Sequence, residues 1–276
     1  MIRHQVIVPL LGVAAVLLLW LWVFPLKDHP TDSHPFFPKL QTVQYKPLPD
    51  LSGERDIHRR KIRFFEYLLP VVRAENHRLA DIRQRLVYIQ EAGILGHDLD
   101  DDDQSWFEST LIEFRMANED VKQPQFWPDL FVRVDQIPES LVLVQAANES
   151  AWGTSRFAQE GNNLFGQWCF SPGCGMVPEG RPEGEIYEVV RFESVAHSVA
   201  AYMRNLNTGH AYDGLRKIRA DLRLEGQTVT AVHLAQGLIR YSQRGEDYIS
   251  ELLAMLRVNT PIIDEIRSPG PDKPEA

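Results

Sequence analysis

Residues 141–153 read LVLVQAANESAWG, and the fold turns on them. Leu141 to Ala147 is almost uniformly apolar over two helical turns, the pattern of a helix buried on most sides. Pro138 suits its first turn, and Gly153 its C-terminal stop. Glu149 stands at the end of this helix, after a run from Ser140 to Asn148 that holds no charged residue. Apolar surroundings and the negative end of the helix dipole both favour its protonated form. A carboxyl kept neutral near pH 7 is what a glycosidase requires to protonate a leaving oxygen. A buried structural glutamate bonded to backbone groups would leave the same pattern, and composition does not separate the two readings.

Downstream, the Gly/Asn/Pro-rich stretch from Gly161 to Gly184, with short alternating runs such as Ile186 to Phe192, predicts a small irregular β-lobe. Helices resume with Ser194 as cap and Val195, Val199, Tyr202 and Leu206 on one face. They resume again over Thr230–Ile239 and Tyr248–Leu256. Upstream, Ile57, Phe64, Phe65, Leu68 and Val72 mark a helix that Pro70 is expected to kink or end. Leu79, Ile82, Leu86 and Ile89 mark the next, ending near Gly93. Asp100 to Asp103 open a third, where acidic side chains suit the helix dipole. The fold class expected is mainly α (α+β). Its parts are an anchor at 1–27, a linker at 28–50, a helical preface at 51–133, a catalytic unit at 134–266 and a loose tail at 267–276. The linker carries five prolines (Pro30, Pro35, Pro38, Pro47 and Pro49) and no apolar periodicity, as in a semi-extended tether.

From Gln5 to Leu26 the chain has no formal charge and is almost wholly apolar. A helix of that length reaches about 33 Å, enough for a hydrocarbon core of about 30 Å. Arg3 precedes it, and Trp20 and Trp22 suit the interfacial belt. The alternative is a cleaved signal peptide, but the apolar run is longer than such a segment needs and no Ala-x-Ala site follows. A single-pass inner-membrane protein with a periplasmic domain is therefore expected. The net charge of −9 argues against nucleic acid as a partner. The two cysteines, Cys169 and Cys174, lack the nearby histidines of a zinc site, and no His-x-x-x-His spacing occurs, so neither metal nor cofactor is expected. In an exported chain they read as a short disulfide loop, with two free thiols as the alternative.

Residues 146–158 (AANESAWGTSRFA) followed by 162–166 (NNLFG) resemble the signature of the peptidoglycan glucosaminidases, glycoside hydrolase family 73. The likeness is stronger to the Bax-type members of that family. It continues through 168–174 (WCFSPGC), Phe192 to Tyr202, 205–212 (NLNTGHAY) and 241–248 (YSQRGEDY), and covers roughly 50–260. The resemblance implies a lysozyme-like helical domain with a small β-lobe. It further implies peptidoglycan glycan strands as substrate, cleavage of the β-1,4 bond after N-acetylglucosamine, and Glu149 as general acid. Tyr241 takes the place of a family tyrosine near the cleaved sugar, where its hydroxyl would hold the 2-acetamido group. Phe165 and Trp168 are candidates for stacking on sugar faces, one of the two being ordinary packing. Asn162 and Asn163 read as ties for the loop after the catalytic helix.

Family members often carry a second glutamate in the lobe hairpin. Here the hairpin is shorter, and Glu179, Glu183, Glu185 and Glu188 each also read as solvated strand or turn residues. Where none faces the cleft, the substrate's own 2-acetamido group assists water attack, a recognised exception to the two-carboxylate scheme. The rival readings are a muramidase or lytic transglycosylase on a similar fold, and a catalytically weak wall-binding scaffold.

The uncharged segment makes one prediction directly. The full chain should remain with the inner membrane after washing with salt and alkali. Recovery of a soluble form starting near Lys27 would show that the segment is a signal peptide.

Overall fold

A computed structural model describes residues 46–268. The expected anchor, most of the linker and the end of the tail lie outside those residues. Among the described residues no helix is long and apolar enough to cross a membrane. The fold is mainly helical with one small sheet, as the patterning requires.

The first helix, α1 (Ile57–Leu95), starts where the Asp56 carboxylate accepts the amides of His58 and Arg59, and stops at Gly96 in the left-handed conformation. It continues through Pro70, so the helix does not end there. Pro70 lies on the solvent side, as does Glu66, whose carbonyl the missing N–H would have bonded. Phe64, Phe65, Leu68, Val72, Leu79, Leu86 and Ile89 keep one buried stripe on both sides of the proline. The two expected helices are therefore one.

Helix α2 (Asp101–Glu113) begins at Asp100, whose side chain accepts the Asp103 amide. Two ion pairs fasten it to α1, Arg85 to Asp103 at 2.6 Å and Arg78 to Glu113 at 2.7 Å. Helix α3 (Phe126–Arg133) follows. Then come α4 (Glu139–Glu149) and the short α5 (Arg156–Gly161). Leu141 to Ala147 of α4 are buried without exception. The helix lies against α1, against α8 (Ala231–Ala235) and against α9 (Glu246–Arg267). Residues of α1, α2 and α3 share one continuous core with those of α4 to α9.

The β-lobe contains β1 (Trp168–Cys169), β2 (Gly175–Met176) and β3 (Glu188–Val190), antiparallel in the order β1-β3-β2. The alternating run from Ile186 to Phe192 thus gives a strand of only three residues. Gly175 is required where it stands, because a Cβ there would meet the Val189 carbonyl at 2.0 Å. Beyond the lobe, α6 (Val195–Thr208) is capped by Ser194, as expected. A single 3₁₀ turn (His210–Tyr212) leads to α7 (Asp213–Leu224). The expected helix at 230–239 divides into α8 and a 3₁₀ turn, Gln236–Leu238. Helix α9 runs well past Leu256, through Pro261, which again faces solvent together with Arg257, four residues earlier.

The junction before α4 is held by arginines. The Asp135 carboxylate accepts two bonds of 2.6 Å from Arg223, and Arg219 Nε lies 3.5 Å away. Arg219 is 1% exposed and also serves the carbonyls of Val132 and Gln136. From α1, Arg83 reaches the carbonyls of Phe131 and Val134. Burial pulls the Arg219 guanidinium down to about 10, against the pull of Asp135 in the other direction. Replacing Asp135 with Asn should lower stability by about 3 kcal/mol, since it leaves a buried cation without its carboxylate. An unchanged urea midpoint would contradict this.

Candidate active site

Glu149 ends α4, and the turn that follows is unusual. Ala151, Trp152 and Gly153 all have positive φ, at 51°, 61° and 75°. For the two residues with a Cβ this costs roughly 1 kcal/mol or more each. Ser150 offsets part of it: its hydroxyl donates to the Ala146 carbonyl at 2.6 Å and accepts the Gly153 amide at 2.7 Å. Trp152 supplies the rest by packing edge-on against Phe64 and Phe65 of α1, with ring centroids 5.8 and 5.3 Å away. Lys61 lies over the same ring at 5.2 Å. The Glu-Ser-x-Trp-Gly sequence is therefore the mechanical fastening of the helix end to α1.

The Glu149 carboxyl is half-buried. Its Oε1 accepts the Tyr248 hydroxyl at 2.9 Å and, more weakly, the Asn148 side-chain amide at 3.4 Å. Burial raises its pKa above the ordinary carboxylate value. The bonds from Tyr248 and Asn148 pull the other way, while Glu251 adds to the rise and Arg244 opposes it. Arg244 and Glu251 are themselves paired at 2.7 Å. The net direction is the one an acid catalyst needs.

Behind the carboxyl stands a group of tyrosines. Tyr241 stacks on Tyr248 with centroids 5.4 Å apart and 12° between the planes. The Tyr241 hydroxyl donates to the Phe165 carbonyl at 3.2 Å. The Phe165 ring is 3% exposed and lies flat on Tyr202 at 3.9 Å. Burial holds the hydroxyls of Tyr202, Tyr241 and Tyr248 well above the usual tyrosine range, so all three remain protonated donors.

The fold thus gathers Glu149, Tyr241 and Phe165, although Phe165 contributes its carbonyl and its packing while its ring is covered. Trp168 stands apart on β1, 55% exposed and stacked on Tyr187 at 4.5 Å. Cys169 and Cys174 are joined, closing the loop between β1 and β2. Asn163 ties that region as expected, donating to the carbonyls of Gln167 and Val190 and accepting the amides of Phe165 and Gln167. Asn162 donates to the Phe192 carbonyl.

Among the lobe glutamates, Glu188 is spent. Its two oxygens accept the amides of Gly173 and Gly175 at 2.9 and 2.8 Å, and these bonds hold its pKa down. Glu179 is exposed and lies 3.9 Å from Arg156. Glu183 and Glu185 are exposed.

Two residues escaped the reading of the sequence, Gln145 and Tyr248. Gln145 was visible as the one polar side chain within 141–147, and Tyr248 as the second tyrosine of 241–248. A cavity of about 430 Å³, lined by Arg73, His77, Gln136, Glu139 and Arg223 among others, opens beside the first residue of α4. That is about 15 Å along the helix from Glu149.

A family model described as "Glucosaminidase: Mannosyl-glycoprotein endo-beta-N-acetylglucosaminidase" matches residues 132–260. Protein bax of Escherichia coli (strain K12) is 34% identical over 216 residues, which cover 78% of this chain and 76% of that protein. No solved structure matches.

The lobe carries a prediction of its own. Full-length protein taken from an oxidising compartment should show Cys169 and Cys174 closed to alkylation until a reductant is added. Mass analysis that finds both labelled without reductant would remove the bridge. Because the loop is short, opening it should cost only about 2 kcal/mol.

Proposed function

The chain belongs to the Bax-type glucosaminidase family, and on that premise we propose that it is a peptidoglycan hydrolase with Glu149 as its general acid. The bond cut is the β-1,4 link after N-acetylglucosamine, and the enzyme works in the periplasm from an inner-membrane anchor at residues 5–26. The observation that carries the reading is Glu149 itself, a carboxyl raised by burial yet half open to solvent at the end of an otherwise buried helix. The outline around it supports the same reading: a buried helix, a small lobe and closing helices, as in lysozyme-like hydrolases.

In the first step the protonated carboxyl gives its proton to the glycosidic oxygen as the C1–O bond breaks. The bond's electron pair stays with that oxygen. The oxygen of the substrate's 2-acetamido group closes on C1. Water then opens this ring at C1 and returns a proton to the Glu149 carboxylate. Attack by the substrate's own group is favoured by the state of the lobe glutamates, since Glu188 is tied to two backbone amides and Glu179, Glu183 and Glu185 are exposed. Tyr241, half-buried and stacked on Tyr248, gives its hydroxyl proton to the Phe165 carbonyl and is suited to orient the acetamido group by accepting its N–H. Trp168, with its exposed face, is the one suited to stack on a sugar further along the strand.

Changing Glu149 to Gln keeps size and much of the hydrogen bonding but removes the proton donor. Hydrolysis of purified peptidoglycan should fall by roughly two to four powers of ten while folding survives. The same change at Glu179, Glu183, Glu185 or Glu188 should cost far less. A folded Glu149→Gln protein that digests the wall at near the parent rate would overturn the assignment.

A further inference from the structure

Three hydrogen bonds behind Glu149 run in a single direction. Tyr202 donates its hydroxyl to the amide oxygen of Gln145. The amide nitrogen of Gln145 donates to the Tyr248 hydroxyl oxygen at 2.9 Å. Tyr248 donates to Glu149 Oε1 at 2.9 Å. Gln145 is 0% exposed, so its amide has no solvent to turn to and must be matched by these two tyrosines.

A primary amide is asymmetric: one end only accepts and the other only donates. With its oxygen taken by Tyr202, its N–H necessarily faces Tyr248. Having accepted that N–H, the Tyr248 hydroxyl has one proton left to give, and Glu149 Oε1 receives it. Asn148 donates toward the same Oε1 at 3.4 Å, and no described residue donates to Oε2.

We infer that Gln145, acting through Tyr248, decides which oxygen of Glu149 carries the transferable proton: Oε1 is held as an acceptor and the proton sits on Oε2. Gln145 and Tyr248 are thus positioning residues. The inference deepens the reading of Glu149 as the acid and rests on it for its catalytic consequence, though not for the hydrogen-bond pattern itself. When the Oε2 proton passes to the glycosidic oxygen, the new carboxylate already has Tyr248 and Asn148 directed at Oε1. The relay therefore stabilises the charge that the step creates without any group having to turn.

The groups that bear on this carboxyl are few. From α4 come Asn148 and Gln145, and from α9 come Tyr248 and Glu251. Arg244 and Tyr241 face it from the segment before α9, Tyr202 from α6 and Tyr212 from the 3₁₀ turn. From α1, Lys61 sits on the Trp152 ring. Arg244 and Glu251 act on Glu149 in opposite senses, which leaves the Tyr248 bond as the main influence opposing burial.

The test reads Glu149 directly. The full chain in detergent is labelled with ¹³C at glutamate side-chain carboxyls, the Glu149 signal is assigned from its loss in Glu149→Gln, and its titration is followed. Tyr248→Phe removes a donor to the carboxylate, so the Glu149 midpoint should rise by about one pH unit. Tyr202→Phe keeps the ring stacked on Phe165 but frees the Gln145 amide to turn. The midpoint should then rise by a smaller amount. An acid catalyst must be protonated to work, so the alkaline limb of the hydrolysis profile should move upward with each midpoint.

A fall after Tyr248→Phe would mean that protonated Glu149 donates to Tyr248, and would overturn the inference, as would no change. Should Tyr248→Phe fail to fold, Tyr202→Phe decides alone: a rise supports the relay and an unmoved midpoint contradicts it. If the midpoints rise while Glu149→Gln still digests the wall, the catalytic reading fails and the hydrogen-bond polarity stands.

Discussion

The complete burial of α4 from Leu141 to Ala147 is the constraint on which the rest depends. Each large apolar side chain in such a position contributes about 1.5–3 kcal/mol relative to exposure, so the helix cannot shift or turn without a large loss. Glu149 is thereby delivered to one place, at the edge where the core meets solvent. The position also sets its chemistry. Full exposure would leave it ionised, and full burial would leave it out of reach. Half-burial raises its pKa and still leaves the carboxyl within reach of solvent.

Two contacts secure that helix end from opposite sides. Trp152 locks the left-handed turn after Glu149 against Phe64 and Phe65 of α1. Tyr248 of α9 holds the carboxyl through Oε1. The long first helix is in this sense part of the site, although it brings no group to the chemistry. The lobe shows the contrast. Glu188 has its charge stabilised by two backbone amides and lies low, while Glu149 is raised by desolvation. Their surroundings push the two carboxyls in opposite directions.

Much of this was legible in the chain. The almost uniformly apolar run before Glu149 marked a buried helix. Ser194 and Asn163 declared their capping and tying roles, because each bonds backbone within four residues of itself. What the chain did not declare depended on which side of an element meets water. Pro70 and Pro261 read as helix ends, yet both lie on a solvent face and both helices continue through them. Phe165 and Trp168 read alike as aromatic residues after the loop. Only the fold shows one ring stacked inside on Tyr202 and the other exposed on β1. The relay through Gln145 joins residues 57 and 103 positions apart in sequence, a distance over which local pattern carries no information.

The sugar left at the cut end tests the account most directly. Purified peptidoglycan digested by the full chain, reduced with borohydride and analysed by mass spectrometry, should release fragments ending in reduced N-acetylglucosamine. Fragments ending in reduced N-acetylmuramic acid, or in its anhydro form, would contradict it.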